Sequence, residues 1–169
     1  LILSKFPIVS SEIKWFEKAA HADRFARKSV LFIESEKNGK RFQLLCTHVQ
    51  AQNGEKFRKI RKSQLDIMAK LGDKHLKNDI PQIIAGDLNT AKNNFTEYKE
   101  MINCLNAEDG GLRGEWQCTA NDSTNHYSRG CEGGMEILDY ILLRKNGNNA
   151  RVFLREIVHY THALSNGSS

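Results

Sequence analysis

The chain lacks any apolar run approaching the ~18 residues of a membrane-spanning helix, so nothing in its 169 residues reads as a transmembrane segment. It has no internal repeat, no low-complexity tract and no linker-like stretch, which excludes a repeat array and a two-domain split. No signal-peptide pattern is visible, although Leu1 is not a natural start and a removed leader is compatible with it. Four cysteines allow three pairings and do not fix a redox compartment. Cys46 falls in an apolar strand and reads as a buried thiol, whereas Cys118 and Cys131 lie in loop sequence and could bridge. What is left is one domain with room for a real core: 40% hydrophobic and 27% charged residues are ordinary for a globular protein.

The net charge is +5, densest in Lys56-Phe57-Arg58-Lys59-Ile60-Arg61-Lys62. Such a run suits anionic lipid or nucleic acid, and equally a solvated helix face. The pattern predicts a strand over Leu1–Ile8, ended by Pro7, and gives no clear reading for Ser10–Lys28. Strands over Ser29–Glu34 and Arg41–Val49 flank Asn38-Gly39, a hairpin signal. Phe57, Ile60, Ile67, Met68 and Leu71 recur at helical spacing, predicting a helix over Glu55–Leu76. A strand over Ile80–Gly86 and a short helix through Tyr98, Met101, Ile102 and Leu105 follow. Glu108–Gly134 reads mostly as loop, and strands return at Met135–Leu143 and Arg151–Val158 around Asn146-Gly147.

Three apolar stretches carry polar groups that need a reason. Ile83-Ile84-Ala85-Gly86 ends in Asp87-Leu88-Asn89-Thr90, and strand periodicity would put Asp87 and Asn89 on one side. A carboxylate and an amide oxygen side by side suit a hard cation. The amide NH₂ can also bond a phosphate oxygen. A strand running into an Asx turn explains the same octet without any site. Leu44-Leu45-Cys46-Thr47 ends in His48, and Ile137-Leu138 precedes Asp139-Tyr140-Ile141. A buried, ionised Asp139 would be costly unless paired. A strand-end His and a strand Asp are usually structural when met singly, but three such sites in one chain are less easily dismissed.

Their order carries a resemblance. Thr-His-Val-Gln-Ala at 47–51, Gly-Asp-Leu-Asn at 86–89 and Leu-Asp-Tyr-Ile at 138–141 resemble the endonuclease/exonuclease/phosphatase superfamily. Within it the chain is most similar to neutral, Mg²⁺-dependent sphingomyelinases. That branch is favoured by Gln50-Ala51 after His48 with Arg61…Gln64-Leu65 next, by Leu1-Ile2-Leu3-Ser4-Lys5-Phe6-Pro7-Ile8, and by Asp23-Arg24-Phe25-Ala26-Arg27-Lys28. The resemblance covers nearly the whole chain. It implies an α/β fold, a helix-flanked β-sandwich, and hydrolysis of a phosphodiester such as sphingomyelin. It implies His48, Asp87, Asn89 and Asp139 as catalytic residues, with Lys28 and Asn89 touching substrate and Asp87 and Asn89 holding Mg²⁺ or Mn²⁺. His48 would contact the phosphate, Asp139 would orient a general-base His, and Asp23 could pair with Lys28. The partner would be a phospholipid headgroup at a membrane surface, and the setting secreted or periplasmic. The Asn121–Asn125 loop resembles the family's loop before its last strands; His126, Tyr127 and the Trp15-Phe16 pair are weaker candidates for the site or for lipid contact.

The chain departs from the pattern at both ends. The family carries an Asn and a metal-binding Glu upstream of the Leu1 segment, and a final Ser/Thr-Asp-His beyond the point reached by Ser169. His159 and His162 do not match that motif. The expectation is therefore a single partial domain over 1–169 that is inactive alone. The alternatives are a nuclease or inositol-phosphate phosphatase on the same scaffold, binding nucleic acid in the first case, and a non-catalytic binding module that has lost its base.

Overall fold

The computed structural model describes residues 2–114, 117–121, 135–145, 147 and 154–157. Strand β1 (Ile8–Trp15) leads through a 3₁₀ turn (His21–Phe25) to β2 (Ser29–Lys37) and β3 (Lys40–His48). Helix α1 (Glu55–Lys74), strand β4 (Gln82–Asp87) and helix α2 (Phe95–Cys104) follow. Short strands β5 (Ala107–Asp109), β6 (Gly111–Arg113), β7 (Ala120–Asn121) and β8 (Met135–Glu136) precede β9 (Asp139–Arg144) and β10 (Leu154–Glu156). Among the described residues, strands outnumber helices, as the sequence suggests.

One six-stranded sheet, ordered β1-β2-β3-β4-β9-β5, organises the chain. The β2–β3 hairpin turns at Asn38 and Gly39, with φ of 52° and 74°. Two left-handed residues are what a tight type I′ turn requires. β3 and β4 run parallel, so their connection must cross over, and α1 supplies the crossover. Alternate residues of the strands bury against the helices. Phe32, Leu45, Ile84 and Leu142 stand in register as a row, each at most 1% exposed, and pack in one core with Leu65, Met68 and Leu71 of α1. The intervening residues form a second row on the opposite face: Ile13, Leu31, Cys46, Ala85 and Ile141. That face is open at its edges, with Ile13 46% and Ile141 55% exposed. Parallel β6–β10 and antiparallel β7–β8 are separate two-stranded sheets.

Two expectations change. The first strand begins at Ile8, where one was expected to end, and runs to Trp15 through the stretch that gave no clear reading. It is an edge strand whose residues are nearly all exposed, so it needs no alternating pattern; a bulge between Ile8 and Ser10 adjusts its register on β2. Short strands interrupt the segment expected to be loop after Glu108; residues 122–134 lie outside the described part, as do Cys131, His126, Tyr127, His159 and His162. Cys118 carries a free thiol. Cys46 is half-buried, and burial pushes its thiol pKa up.

Candidate active site

The sheet register brings the three motif residues together. His48 stands opposite Asp87 across β3–β4, and Asp87 stands opposite Asp139 across β4–β9. They form one row at the end of the sheet's open face, two residues beyond Cys46, Ala85 and Ile141. His48 Nε2 lies 3.3 Å from Asp87 Oδ2, with the imidazole 56% and the carboxylate 29% exposed. Gly86 lets the row close up: with φ at 139°, any Cβ there would meet the Thr47 carbonyl oxygen.

Asn89 reaches the site by another route than strand periodicity. β4 ends at Asp87, and Asn89 sits beyond it with φ at 44°, a conformation that Asn tolerates. Asp87 Oδ1 accepts from the Asn89 backbone N–H at 2.9 Å. The Asx turn weighed against a site is thus present, and it is what aims Asn89. The Asn89 Nδ2 donates to the Val49 carbonyl at 3.1 Å. Lys28 Nζ donates to the same carbonyl at 2.6 Å and pairs with Asp23 at 2.9 Å. Lys28 is therefore no surface lysine: only 8% of its side chain is exposed. Asp139 is exposed at the start of β9, contrary to the buried carboxylate its apolar flanks suggest. Its backbone N–H and that of Leu138 both donate to Thr119 Oγ1, at 3.1 and 2.9 Å.

The charges pull in opposite directions. Burial pushes the Asp87 pKa up, the Asn89 N–H and His48 pull it down, Asp139 adds an upward push, and the net shift is upward. For Asp23 burial again acts upward, but the Ala51 N–H and Lys28 outweigh it and hold the pKa down. A polar hollow of about 670 Å³ opens on the Asn89 side, lined in part by Gln52, Asn53, Asn94 and Glu136. Among the described residues, no group of three or more His, Cys, Asp or Glu side chains could hold a metal. Asp87 and Asn89 fit a hard cation in donor type. Asn89 Nδ2 is committed to Val49, so Oδ1 is the atom it would offer. In number they are a partial set.

Sequence reasoning missed Thr119 and the Val49 carbonyl. A threonine in loop sequence and a backbone oxygen carry no signal of their own.

The comparisons with known proteins agree on one family. Phospholipase C of Staphylococcus aureus is 29% identical over 165 residues, 93% of this chain and 49% of its own length. Sphingomyelinase C of Leptospira interrogans is 31% identical over 154 residues, 86% of this chain and 27% of its own. The chain is similar over most of its length to bacterial sphingomyelinases C. A β-hairpin deletion mutant of the S. aureus beta toxin superposes with a TM-score of 0.84 at 26% identity, over 98% of this sphingomyelinase-like chain and 62% of the toxin. A second beta toxin structure, a double mutant with bound magnesium ions, gives 0.78 at 27% identity over 93% and 56%. An endonuclease/exonuclease/phosphatase family protein of Bacteroides thetaiotaomicron gives 0.59 at 15% identity, over 83% and 52%, and so shares the fold. No family model matches the chain. The chain spans about half the length of the S. aureus relative.

Proposed function

We propose that the complete protein is a metal-dependent phosphodiesterase of the sphingomyelinase type, with the site built on His48, Asp87, Asn89 and Asp139. The observation that carries this reading is the register that lines up His48, Asp87 and Asp139 on adjacent strands. Water attacks the phosphorus of sphingomyelin, the P–O bond to ceramide breaks, the alkoxide takes a proton, and phosphocholine leaves. His48, exposed and flanked by a carboxylate, is placed to donate a hydrogen bond to a phosphoryl oxygen as negative charge grows there. The second Nδ2 hydrogen of Asn89 serves another oxygen. Lys28 adds positive charge from beneath, and Asp139 has the role of orienting a general-base histidine. Mg²⁺ or Mn²⁺, held by Asp87 and Asn89 together with ligands from the rest of the protein, would neutralise phosphate charge.

The single partial domain over residues 1–169, a phospholipid headgroup at a membrane surface, and a secreted or periplasmic setting belong to the same proposal. No helix among the described residues is long and apolar enough to cross a membrane. The nuclease alternative is not favoured. Of the five cations in the basic cluster, Arg58 pairs with Glu100, Lys59 lies 3.4 Å from Glu55 and Arg61 is buried against Glu97.

The test is turnover by the full-length protein on sphingomyelin, an inositol phosphate and DNA, with and without excess EDTA. Hydrolysis of sphingomyelin alone, abolished by EDTA and restored by Mg²⁺, is the expected result. Equal rates in EDTA refute the metal; preference for DNA refutes the substrate class. The 169-residue chain by itself is expected to show no turnover.

A further inference from the structure

Two features of the sequence have no role in the chemistry above: Gln50 directly after the His48 strand, and Arg61 with Gln64 on the first helix. The structure buries all three, at 0%, 2% and 0% exposure. Buried amides and guanidinium groups are costly unless hydrogen-bonded, and each of these has partners. Gln64 Oε1 accepts from the Gln50 backbone N–H at 2.7 Å, and Gln64 Nε2 donates to the Lys18 carbonyl at 2.8 Å. The Gln50 side chain clasps Ala20 from both sides: Oε1 accepts from its N–H at 2.8 Å and Nε2 donates to its carbonyl at 3.2 Å. Arg61 donates to the Gln52 carbonyl at 2.6 Å and to Glu97 at 2.7 Å.

Apart from the Arg61–Glu97 pair, each of these bonds ends on the segments that flank Val49 or lead into the 3₁₀ turn of Asp23. Val49 is the residue whose carbonyl takes both Lys28 Nζ and Asn89 Nδ2, and Ala51 N–H, the next donor along, bonds Asp23 at 2.7 Å. We propose that Gln64 and Gln50 are positioning residues: they fix the Val49 carbonyl as a shared acceptor and so set the spacing between Lys28 and Asn89. They touch no reacting atom. The inference deepens the phosphodiesterase reading and rests on it for its kinetic arm only.

The experiment uses the full-length protein. Gln64→Met keeps the bulk and removes both bonds; Gln64→Glu keeps an oxygen for the Gln50 N–H and also serves if the first variant fails to fold. Gln43→Met is the control: it is an equally buried glutamine at the opposite end of the sheet, away from the site. Expected for Gln64→Met is a fall in kcat of about 10- to 100-fold, the scale of a misplacement near 1 Å, with KM little changed. Gln64→Glu, which keeps the acceptor for the Gln50 N–H but loses the donor to the Lys18 carbonyl, should recover part of it. Gln43→Met should lower Tm comparably and leave kcat alone. In the same proteins, ¹⁵N NMR should show slowly exchanging Lys28 ammonium protons in wild type and Gln43→Met, and fast exchange in Gln64→Met. Unchanged Lys28 exchange in Gln64→Met overturns the proposal whatever the kinetics. An inactive wild type overturns the phosphodiesterase reading, and the exchange data still decide this one.

Discussion

The two ends of the central sheet are built on opposite rules. At one end His48, Asp87 and Asp139 stand in a row with two carboxylates opposed, partly open to water, beside left-handed Asn89 and a glycine that no other residue can replace. At the other, Glu34, Gln43, Gln82 and Arg144 form a buried row in which every side chain is matched. Lys77 and Gln43 donate to Glu34 at 2.7 and 3.0 Å, Gln82 to Gln43 at 2.7 Å, and Arg144 to Gln82 at 2.8 Å. That row also reaches the end of α1: Gln82 donates to the Gly72 carbonyl, which the His75 N–H shares, and Gln43 donates to the carbonyl of His75, the residue just past the helix. Polar groups in rows are thus no sign of a site. The difference lies in whether the partners come from the protein or are left to a ligand.

The contrast can be broken at three points. The largest effect is expected from His48→Ala in the full-length protein: a loss of about 10²–10⁴ in kcat, or ~3–5 kcal/mol of barrier, with Tm nearly unchanged. A variant that keeps its turnover reduces His48 to a structural residue. Next, Arg144→Met should cost roughly 3 kcal/mol of stability by orphaning Gln82 and the Leu105 carbonyl, while kcat at a temperature well below Tm stays put. Denaturant unfolding measures it, and a loss of kcat in the folded protein would join the two ends.

The smallest effect has a sign. Asp87 has a raised pKa, so the stability tied to its protonated form is complete below its ordinary 3.8 and is lost as pH rises through the folded value. Glu34 is held down by Lys77 and Gln43, so its contribution is complete above 4.5 and lost as pH falls. Asp87→Asn should therefore raise Tm at neutral pH while abolishing turnover, and Glu34→Gln should lower Tm. Both differences should fade in acid. Equal responses of the two variants to pH would erase the distinction between the ends.

Most of this was legible in the sequence where a local rule applied. Asn38-Gly39 dictates its hairpin, the spacing of Phe57, Ile60, Ile67, Met68 and Leu71 dictates α1, and an apolar run ending in Asp87 dictates β4. The edge strand β1 was not legible, because a strand exposed on both sides writes no alternation. The direction of Asn89 was not legible either. It depends on an Asx turn rather than on the pleat. Nor did the run Leu138-Asp139-Tyr140 reveal that Asp139 stays wet, since its exposure follows from where β9 starts against β4.

The Asn38-Gly39 turn also bears on time. A hairpin with such a turn closes in about 1–10 μs without help from the rest of the chain. The row of His48, Asp87 and Asp139 has no such shortcut. It waits for α1 to carry β4 back beside β3, and then for β9 to arrive after a long excursion along the chain. Contacts so distant in sequence form slowly, because loop closure must be met before they repay it. The candidate active site is thus expected among the last parts of the chain to assemble, on a sheet whose first hairpin has long been waiting.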